Sequence, residues 1–140
     1  MIQVTVPIYY KKSKKETVML GLNFYRNIHY SVNDKAKKFI TGVVEDNIEG
    51  DPILGVPIHV HYKVYLKRRG SDGGNVRSVI EKYVLDAVKK FEYIKDDNFE
   101  IVVTSSDEYH HDKTFPRCEV LLLNKITEKK ELKEILLNLL

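Results

Sequence analysis

The segment from residue 72 to residue 97 carries the side chains of this sequence that are best suited to chemistry. They combine carboxylates with one amide and one amine: Asp72, Asn75, Lys82, Asp86, Asp96 and Asp97. Carboxylates gathered beside a lysine are suited to metal-dependent phosphodiester hydrolysis. Oxygen ligands hold Mg²⁺, the ion activates water, and the ammonium group supports the scissile phosphate.

Each of these residues also has a purely structural explanation. Asp72 or Asn75 suits the N-cap of a helix. Lys82 and Asp86 have the i, i+4 spacing of a helical ion pair that is worth only a few tenths of a kcal/mol. The aspartates at positions 96 and 97 suit a polar turn. Both interpretations stay open, and the three-dimensional arrangement has to discriminate between them.

The segment predicts a helix from Asn75 to about Phe91. At about 100° per residue, its core face consists of Val76, Ile80, Tyr83, Val84, Ala87 and Val88. A separate narrow stripe consists of Asn75, Val79, Lys82 and Asp86, while Glu81 points toward solvent. If the chain returns antiparallel after the helix, the aspartates at 96 and 97 come to one side of this stripe.

The remaining sequence predicts strands and two further helices. Alternating apolar residues predict a strand at 2–8, and a lysine-rich hairpin loop leads from it into a second strand, TVMLGLNFY. A helix follows over SVNDKAKKFITGVVEDNIEG, with Ser31 or Asn33 as N-cap. A strand VPIHVHYKVYL comes next. The strands NFEIVVTS and RCEVLLL are predicted to form a hairpin around the polar loop SSDEYHHDKTFP, and a last helix begins with Thr127 as N-cap.

These elements predict an α/β (α+β) fold in which a mixed sheet packs with helices. The length of 140 residues favours a single compact domain over residues 1–140. A hydrophobic fraction of 43% with 31% charged residues is typical of a soluble globular protein, and no apolar run is long enough to cross a membrane. The start of the chain lacks the pattern of a secretion signal, so we expect a cytoplasmic protein.

Histidine and cysteine residues do not predict a metal site of their own. His59 and His61 lie on the same face of a strand, but no third ligand lies near them in sequence, so a solvent-facing or groove-facing pair is favoured over a metal site. His110 and His111 lie in the polar loop and are a weaker pair. The single cysteine, Cys118, is interpreted as a packed core thiol.

The acidic segment resembles the signature of a known nuclease family. The block SDGGNVRSVIEKYVLDAV followed by YIKDDNFEIV resembles that of the RusA-type Holliday junction resolvases, and LGLNFYRNIHYSVNDKAKKF is similar to the early segment of that family. The resemblance covers about residues 20–122. It implies a small homodimeric Mg²⁺-dependent endonuclease that cuts four-way DNA junctions with paired symmetric nicks. It also implies a bacterial protein, or a phage-encoded one inside the host cell.

The resemblance assigns roles residue by residue. Asp72 matches a metal-binding aspartate, Lys82 the essential lysine, and Asp97 a metal ligand with Asp96 beside it. The sequence departs from the family pattern at Gly74, where many members carry a second aspartate. A longer-spaced variant with an acidic residue before the lysine favours Glu81 as its replacement, whereas the helical stripe favours Asp86. The implied catalytic residues are Asp72, Asn75, Lys82, Asp86 and Asp97, and the implied metal ligands are Asp72, Glu81, Asp86, Asp96 and Asp97.

Basic clusters elsewhere give the expected DNA contacts. The net charge of +3 says little by itself, and such clusters are commonly solvated surface. In a junction-binding protein they would contact phosphates with little base reading: Lys11, Lys12, Lys14, Lys15, Lys67, Arg68 and Arg69. The glycine at position 74 leaves open a non-catalytic branched-DNA-binding accessory protein. A further alternative is a phosphate-binding or interaction domain in which the acidic residues only cap helices.

Overall fold

A computed structural model describes residues 1–55, 57–125 and 137–138 of the protein. The strands are β1 (Ile2–Pro7), β2 (Tyr9–Lys11), β3 (Thr17–Met19), β4 (Ile58–Leu66), β5 (Val102–His111) and β6 (Arg117–Asn124). The helices are α1 (Leu22–Asn27), α2 (Tyr30–Asn47) and α3 (Gly73–Lys90). The helix expected from Thr127 onward falls largely outside the described residues, as does Val56.

A mixed four-stranded sheet carries the fold, with strand order β1-β6-β4-β5. β4 and β5 run parallel, and the other neighbours run antiparallel. Two parallel neighbours need a crossover connection, and α3 supplies it. The short strands β2 and β3 form a separate antiparallel hairpin. The predicted mixed α+β architecture with helices packed on a mixed sheet is confirmed.

The core forms where one face of the sheet meets α2 and α3. Buried residues lie side by side on the three strands, so that Val4 pairs with Val120, which in turn pairs with Tyr62. Flanking rows repeat this pattern, and all three strands present fully buried side chains to the helices. Cys118 belongs to this core, as expected, and burial raises the pKa of its thiol to about 12.

Helix α3 confirms the predicted core face and extends it. The six residues expected on that face are all buried, because α3 packs against both β4 and α2. Val79 and Leu85 are buried as well. The placement of Val79 on an open stripe with Lys82 was therefore wrong. An ideal helical wheel describes one contact face. Because α3 packs against both the sheet and α2, it buries residues beyond that face.

The predicted hairpin of the last two strands is also wrong, because β4 lies between β5 and β6. The sequence SSDEYHH, expected in the loop, belongs to β5. β5 is polar because it is an edge strand whose side chains are mostly half-buried or exposed. The prediction therefore identified only the start of this strand, and the polar composition of the later residues gave no strand signal.

Two element boundaries near the N-terminus also differ from expectation. The strand predicted over TVMLGLNFY ends at Met19, and the chain turns into α1 at Leu22. α2 is capped by His29, whose side chain accepts a hydrogen bond from the Ser31 amide, and not by Ser31 or Asn33. None of the described helices is long and apolar enough to cross a membrane.

Candidate active site

A groove of about 440 Å³ beside the middle of α3 brings the central acidic and basic candidates together. We call it the Glu81 groove, and it is lined by Ser78, Glu81, Lys82, Leu85 and Asp97. The side chain of Glu81 is 33% exposed and does not point freely into solvent. The chain returns after α3 as predicted, and Asp97 lines the groove together with Lys82.

Aromatic side chains from α1 and α3 support the lysine of this groove. The Nζ atom of Lys82 lies 5.6 Å from the ring centroid of Tyr25, a favourable cation–π distance. The Tyr25 ring lies 6.5 Å from that of Tyr83. The hydroxyl of Tyr83 in turn donates a hydrogen bond to Asn33 of α2. The aromatic-rich segment before α2 therefore fixes where the ammonium group can lie.

Asp96 and Asp97 have different surroundings although they are adjacent. Asp96 accepts hydrogen bonds from the Asp97 amide at 2.7 Å and from the Asn98 side chain at 3.1 Å, and lies 3.1 Å from Lys89 Nζ. The bond from the Asp97 amide is the largest cause that lowers the pKa of Asp96 to about 2. Lys89 Nζ also lies 3.8 Å from Asp97, so both carboxylates contact this lysine. Asp96 accepts the hydrogen bonds of the turn, whereas Asp97 in addition lines the groove.

Asp86 lies in a different groove, between α2 and α3. Its carboxylate is 2.6 Å from the Nζ atom of Lys37. The Lys82–Asp86 ion pair expected from i, i+4 spacing is replaced by this pair between helices. The Asp86 carboxylate is thus directed toward α2 and Lys37. The choice between Glu81 and Asp86 as the further metal ligand stays a prediction.

Asp72 and Asn75 lie at the N-terminus of α3. Asp72 is the N-cap and accepts a hydrogen bond from the Asn75 amide at 3.3 Å. Both residues line a groove of about 540 Å³ with residues of β3 and α1. At 1.5 Å per residue, Asp72 and Glu81 are about 13 Å apart along the helix axis. One ion at about 2.1 Å from its ligands does not bridge two carboxylates placed in this way.

The donor set of the Glu81 groove fits Mg²⁺ in one specific sense. Within the described part of the chain, no three His, Cys, Asp or Glu side chains are grouped as a metal-binding cluster. Mg²⁺, however, is commonly held by one or two carboxylates together with water and substrate phosphates. Glu81 and Asp97 line the same groove, and an ion held there would take these two carboxylates together with water and phosphate oxygens. The additional roles of Asp72, Asp86 and Asp96 as ligands stay predictions.

A basic groove of about 550 Å³ adjoins the N-terminal end of α3. Lys67 and Arg68, which follow β4, line it together with Lys113 and Ser71. Arg69 is exposed in the same loop. The hairpin of β2 and β3 forms the opposite wall through Tyr9 and Thr17. Its exposed tip carries Lys11, Lys12, Lys14 and Lys15, of which Lys12 pairs with Glu16 at 3.8 Å. One predicted basic cluster therefore lines this groove through Lys67 and Arg68, whereas the four hairpin lysines are exposed outside its lining.

Comparison with models of protein families found no match, and comparison with curated proteins found no significantly similar sequence.

Sequence reasoning missed Arg77, which lies between α3 and β5. Its side chain donates a hydrogen bond to Ser105 at 2.7 Å, and its guanidinium carbon lies 4.6 Å from the Tyr62 ring centroid. Its Nε atom is 3.9 Å from carboxylate oxygens of both Glu81 and Asp107. The only signal in the sequence was the i, i+4 spacing of Arg77 and Glu81. Asp107 comes close to Arg77 only because β5 pairs parallel to β4 after the crossover through α3.

A second network joins β4 and β5 on the sheet face away from α3. The Ser106 hydroxyl is 2.7 Å from His59 Nε2 and 2.6 Å from His61 Nδ1. Glu108 lies 3.2 Å from His61 Nε2 and 2.9 Å from His110 Nε2, and the His110 bond is the largest cause that lowers the pKa of Glu108. The paired histidines are thus satisfied within the sheet.

Proposed function

We propose that the protein is a Mg²⁺-dependent, structure-selective endonuclease that resolves four-way DNA junctions by paired nicks. The observation that carries the proposal is the shared groove of Glu81, Lys82 and Asp97. The sequence resemblance implied a metal ligand, an acidic neighbour and an essential lysine for these positions. Their convergence supports that implication because residues 81 and 97 belong to different parts of the chain.

In this proposal Glu81 and Asp97 hold the ion and Lys82 stabilises charge on the scissile phosphate. The bound Mg²⁺ supplies activation of water and neutralisation of the transition-state oxygens. Asp97 is kept in place by the turn that Asp96 organises, and Lys82 is kept in place by Tyr25. The protein therefore contributes mainly positioning and fixed charge, as phosphoryl transfer requires.

The basic groove supplies the expected contact surface for the DNA arms. Lys67, Arg68 and Lys113 present positive charge at the end of α3 that carries Asp72 and Asn75. A duplex arm held there would pass along the N-terminal part of α3. Paired nicks require two such sites, and a homodimer with two-fold symmetry would match the symmetry of the junction.

The test is cleavage of a labelled synthetic four-way junction in Mg²⁺, followed on a denaturing gel. A linear duplex of the same sequence and an EDTA sample serve as controls. We expect symmetric nicks in the junction only, and only with Mg²⁺. Equal cleavage of the linear duplex and the junction, or cleavage that persists in EDTA, would contradict the proposal.

A non-catalytic branched-DNA-binding protein is the second candidate. It is favoured by the glycine at position 74, where the family pattern has an aspartate, and by the lack of a three-ligand cluster among the described residues. The same gel separates the candidates when it is paired with a mobility-shift assay. Tight junction binding without nicks in either Mg²⁺ or Mn²⁺ would favour this accessory role.

A further inference from the structure

We propose that β5 joins two copies of this chain, by pairing antiparallel with β5 of a second copy about a two-fold axis at Ser106. The two four-stranded sheets then form one continuous sheet. The inference rests on the proposed function only in the choice of a second copy as the partner, because paired nicks need two sites. It goes further by naming the surface and the register that bring the copies together.

The first observation is a difference between the two edges of the sheet. On the β1 edge, the Asn47 side chain accepts a hydrogen bond from the Thr5 amide at 2.9 Å and donates one to the Thr5 carbonyl at 2.8 Å. Gln3 exchanges two backbone hydrogen bonds with Glu49 on the same edge. The other edge is β5, a strand of ten residues, and no strand within the described ranges pairs with its outer side. An uncovered edge is a template for pairing with another chain.

The outer side of β5 presents regularly spaced backbone groups. The Asp112 amide donates to the Leu66 carbonyl, and the register with β4 is regular from Thr104 onward. Because successive residues of a strand direct their amides to opposite sides, the even-numbered residues of β5 bond to β4. The odd-numbered residues therefore direct their amides and carbonyls to the free edge. Since α3 packs on β4 and leaves most β5 side chains exposed, a second strand has access to them.

The second observation is that the side chains of β5 complement a reversed copy of themselves. An antiparallel register centred on Ser106 sets Ser105 opposite the partner's Asp107, and Thr104 opposite the partner's Glu108. Hydroxyl donors thus face carboxylate acceptors on both faces of the new strand pair. Two-fold symmetry repeats each of these contacts, so the same strand supplies both halves of the interface.

The contacts within each chain leave the required atoms available. The Ser105 hydroxyl accepts a hydrogen bond from Arg77 at 2.7 Å, so its own proton can be donated to the partner's Asp107. Tyr109 donates to Oδ2 of Asp107 at 3.0 Å, so Oδ1 is the oxygen that meets the partner's hydroxyl. Arg77 Nε lies 3.9 Å from Asp107, and this positive charge offsets the repulsion between the two aspartates near the axis.

The same register also covers the exposed apolar side chains of β5. Val103 and Tyr109 are each 42% exposed, and each comes to lie opposite the other on both sides of the axis. Registers centred on Asp107 or Glu108 set two like carboxylates directly opposite each other, which is destabilising. Registers centred further along the strand in either direction pair a shorter part of it. Ser106 is therefore the centre that the side chains favour.

This dimer places the two candidate sites on one face. Pairing of β5 with β5 keeps the helices of both copies on the same side of the joined sheet. Arg77 lies 3.9 Å from both Asp107 of β5 and Glu81 of α3, so the Glu81 groove lies near the edge that is paired. The two Glu81 grooves then lie on either side of the two-fold axis, as symmetric nicking of a four-way junction requires.

Disulfide cross-linking of the full-length protein without DNA tests the register. Because the Ser106 amide is directed to β4, Ser106 forms a non-hydrogen-bonded pair with the partner's Ser106, in which the Cα atoms lie about 4.5 Å apart. That spacing suits a disulfide. Ser106→Cys should give a cross-linked dimer on mild oxidation, at least about tenfold faster than Glu108→Cys, which faces the partner's Thr104. The wild-type protein is the second control, because its only cysteine, Cys118, is buried.

Sedimentation equilibrium measures the strength of the interface. Ser105→Glu sets a carboxylate opposite the partner's Asp107 twice in each dimer, so it should raise the dissociation constant of the dimer by about tenfold. Ser105→Gln is the matched control, because it also loses the serine hydroxyl but adds no charge. Asp107→Asn in the Ser105→Glu background should restore the Ser105→Gln value.

A wild-type protein that stays monomeric would overturn the inference. Equal cross-linking of Ser106→Cys and Glu108→Cys, or equal dissociation constants for Ser105→Glu and Ser105→Gln, would also overturn it. If Ser105→Glu does not fold, as judged by circular dichroism, cross-linking decides, because Ser106→Cys is nearly isosteric. A dimer of this register that leaves junctions uncut contradicts the proposed function alone, whereas junction cleavage by a protein without this register contradicts the interface alone.

Discussion

The Nζ atom of Lys37 in α2 lies 2.6 Å from a carboxylate oxygen of Asp86 in α3. This ion pair ties the two helices together and directs Asp86 away from the groove of Glu81 and Lys82. Helical phasing alone grouped Asp86 with Lys82, because it considered one helix without its neighbour. The second helix supplies the cation that Asp86 contacts.

Asp86→Asn should therefore leave junction cleavage intact. Both partners of its ion pair are 42% exposed, so the loss of stability should be about 1 kcal/mol or less in urea unfolding. Lys37→Ala is the matched control and should show a similar small loss. Glu81→Gln, in contrast, should abolish Mg²⁺-dependent cleavage in a folded protein. Loss of cleavage in Asp86→Asn with Glu81→Gln active would reverse this assignment.

Adjacent aspartates should give opposite results. Asp97→Asn should abolish cleavage while junction binding survives or tightens, because it removes a metal ligand and a negative charge near the DNA. Asp96→Asn should mainly lower thermal stability, because Asp96 accepts the hydrogen bonds that form the turn. Cleavage gels and melting curves of the two variants, run side by side, check this. Robust cutting by Asp97→Asn would remove that residue from the site.

The turn at Asp96 also predicts a pH dependence of stability. Its pKa is lowered from 3.8 to about 2 in the folded protein, so the folded state binds the proton less readily than the unfolded chain. The resulting stabilisation is present above about pH 4 and is lost as the pH falls toward 2. Urea unfolding over this range should show a shallower pH dependence for Asp96→Asn than for wild type. An unchanged slope would mean that the turn does not hold this carboxylate.

Apolar periodicity predicted most of the core but could not predict strand order. The buried faces of α3 and β4 follow from side chains spaced at helical and strand periods. The second half of β5 was assigned to a loop because an edge strand needs few apolar residues. The partner of β5 was misassigned because its parallel pairing with β4 depends on the crossover through α3. Local patterns do not contain that information.

In the candidate site, too, some contacts follow from local sequence and others depend on the tertiary packing. The return of Asp97 to Lys82 could be anticipated, because a turn after a helix brings the chain back along it. Arg77 and Asp107 could not be paired from sequence, because they meet only when β5 lies beside β4. The pairing of Asp86 with Lys37 likewise depended on the position of α2, which no local spacing encodes.

The glycine pair before Asn75 should respond unequally to alanine. A Cβ atom on Gly73 would lie 2.2 Å from Cδ1 of Tyr109, so Gly73→Ala should destabilise the protein by about 1–3 kcal/mol. A Cβ atom on Gly74 would meet nothing closer than 3.4 Å, and Ala is the better helix former, so Gly74→Ala should be neutral or stabilise by up to about 1 kcal/mol. Urea unfolding of both variants measures this. Equal effects would show that Tyr109 does not pack on Gly73.

Salt dependence of junction binding should identify the DNA-contacting surface. Lys67 and Arg68 line the basic groove, so Lys67→Glu with Arg68→Glu should reduce the slope of log K against log salt by about 0.9 for each phosphate contact that is lost. Arg69 is exposed in the same loop but does not line the groove, so Arg69→Glu is the matched control and should change the slope less. Fluorescence anisotropy with a labelled junction at several salt concentrations gives these slopes. If the double variant keeps the wild-type slope and charge reversal of Lys14 and Lys15 lowers it, the DNA lies along the hairpin tip and not in the groove.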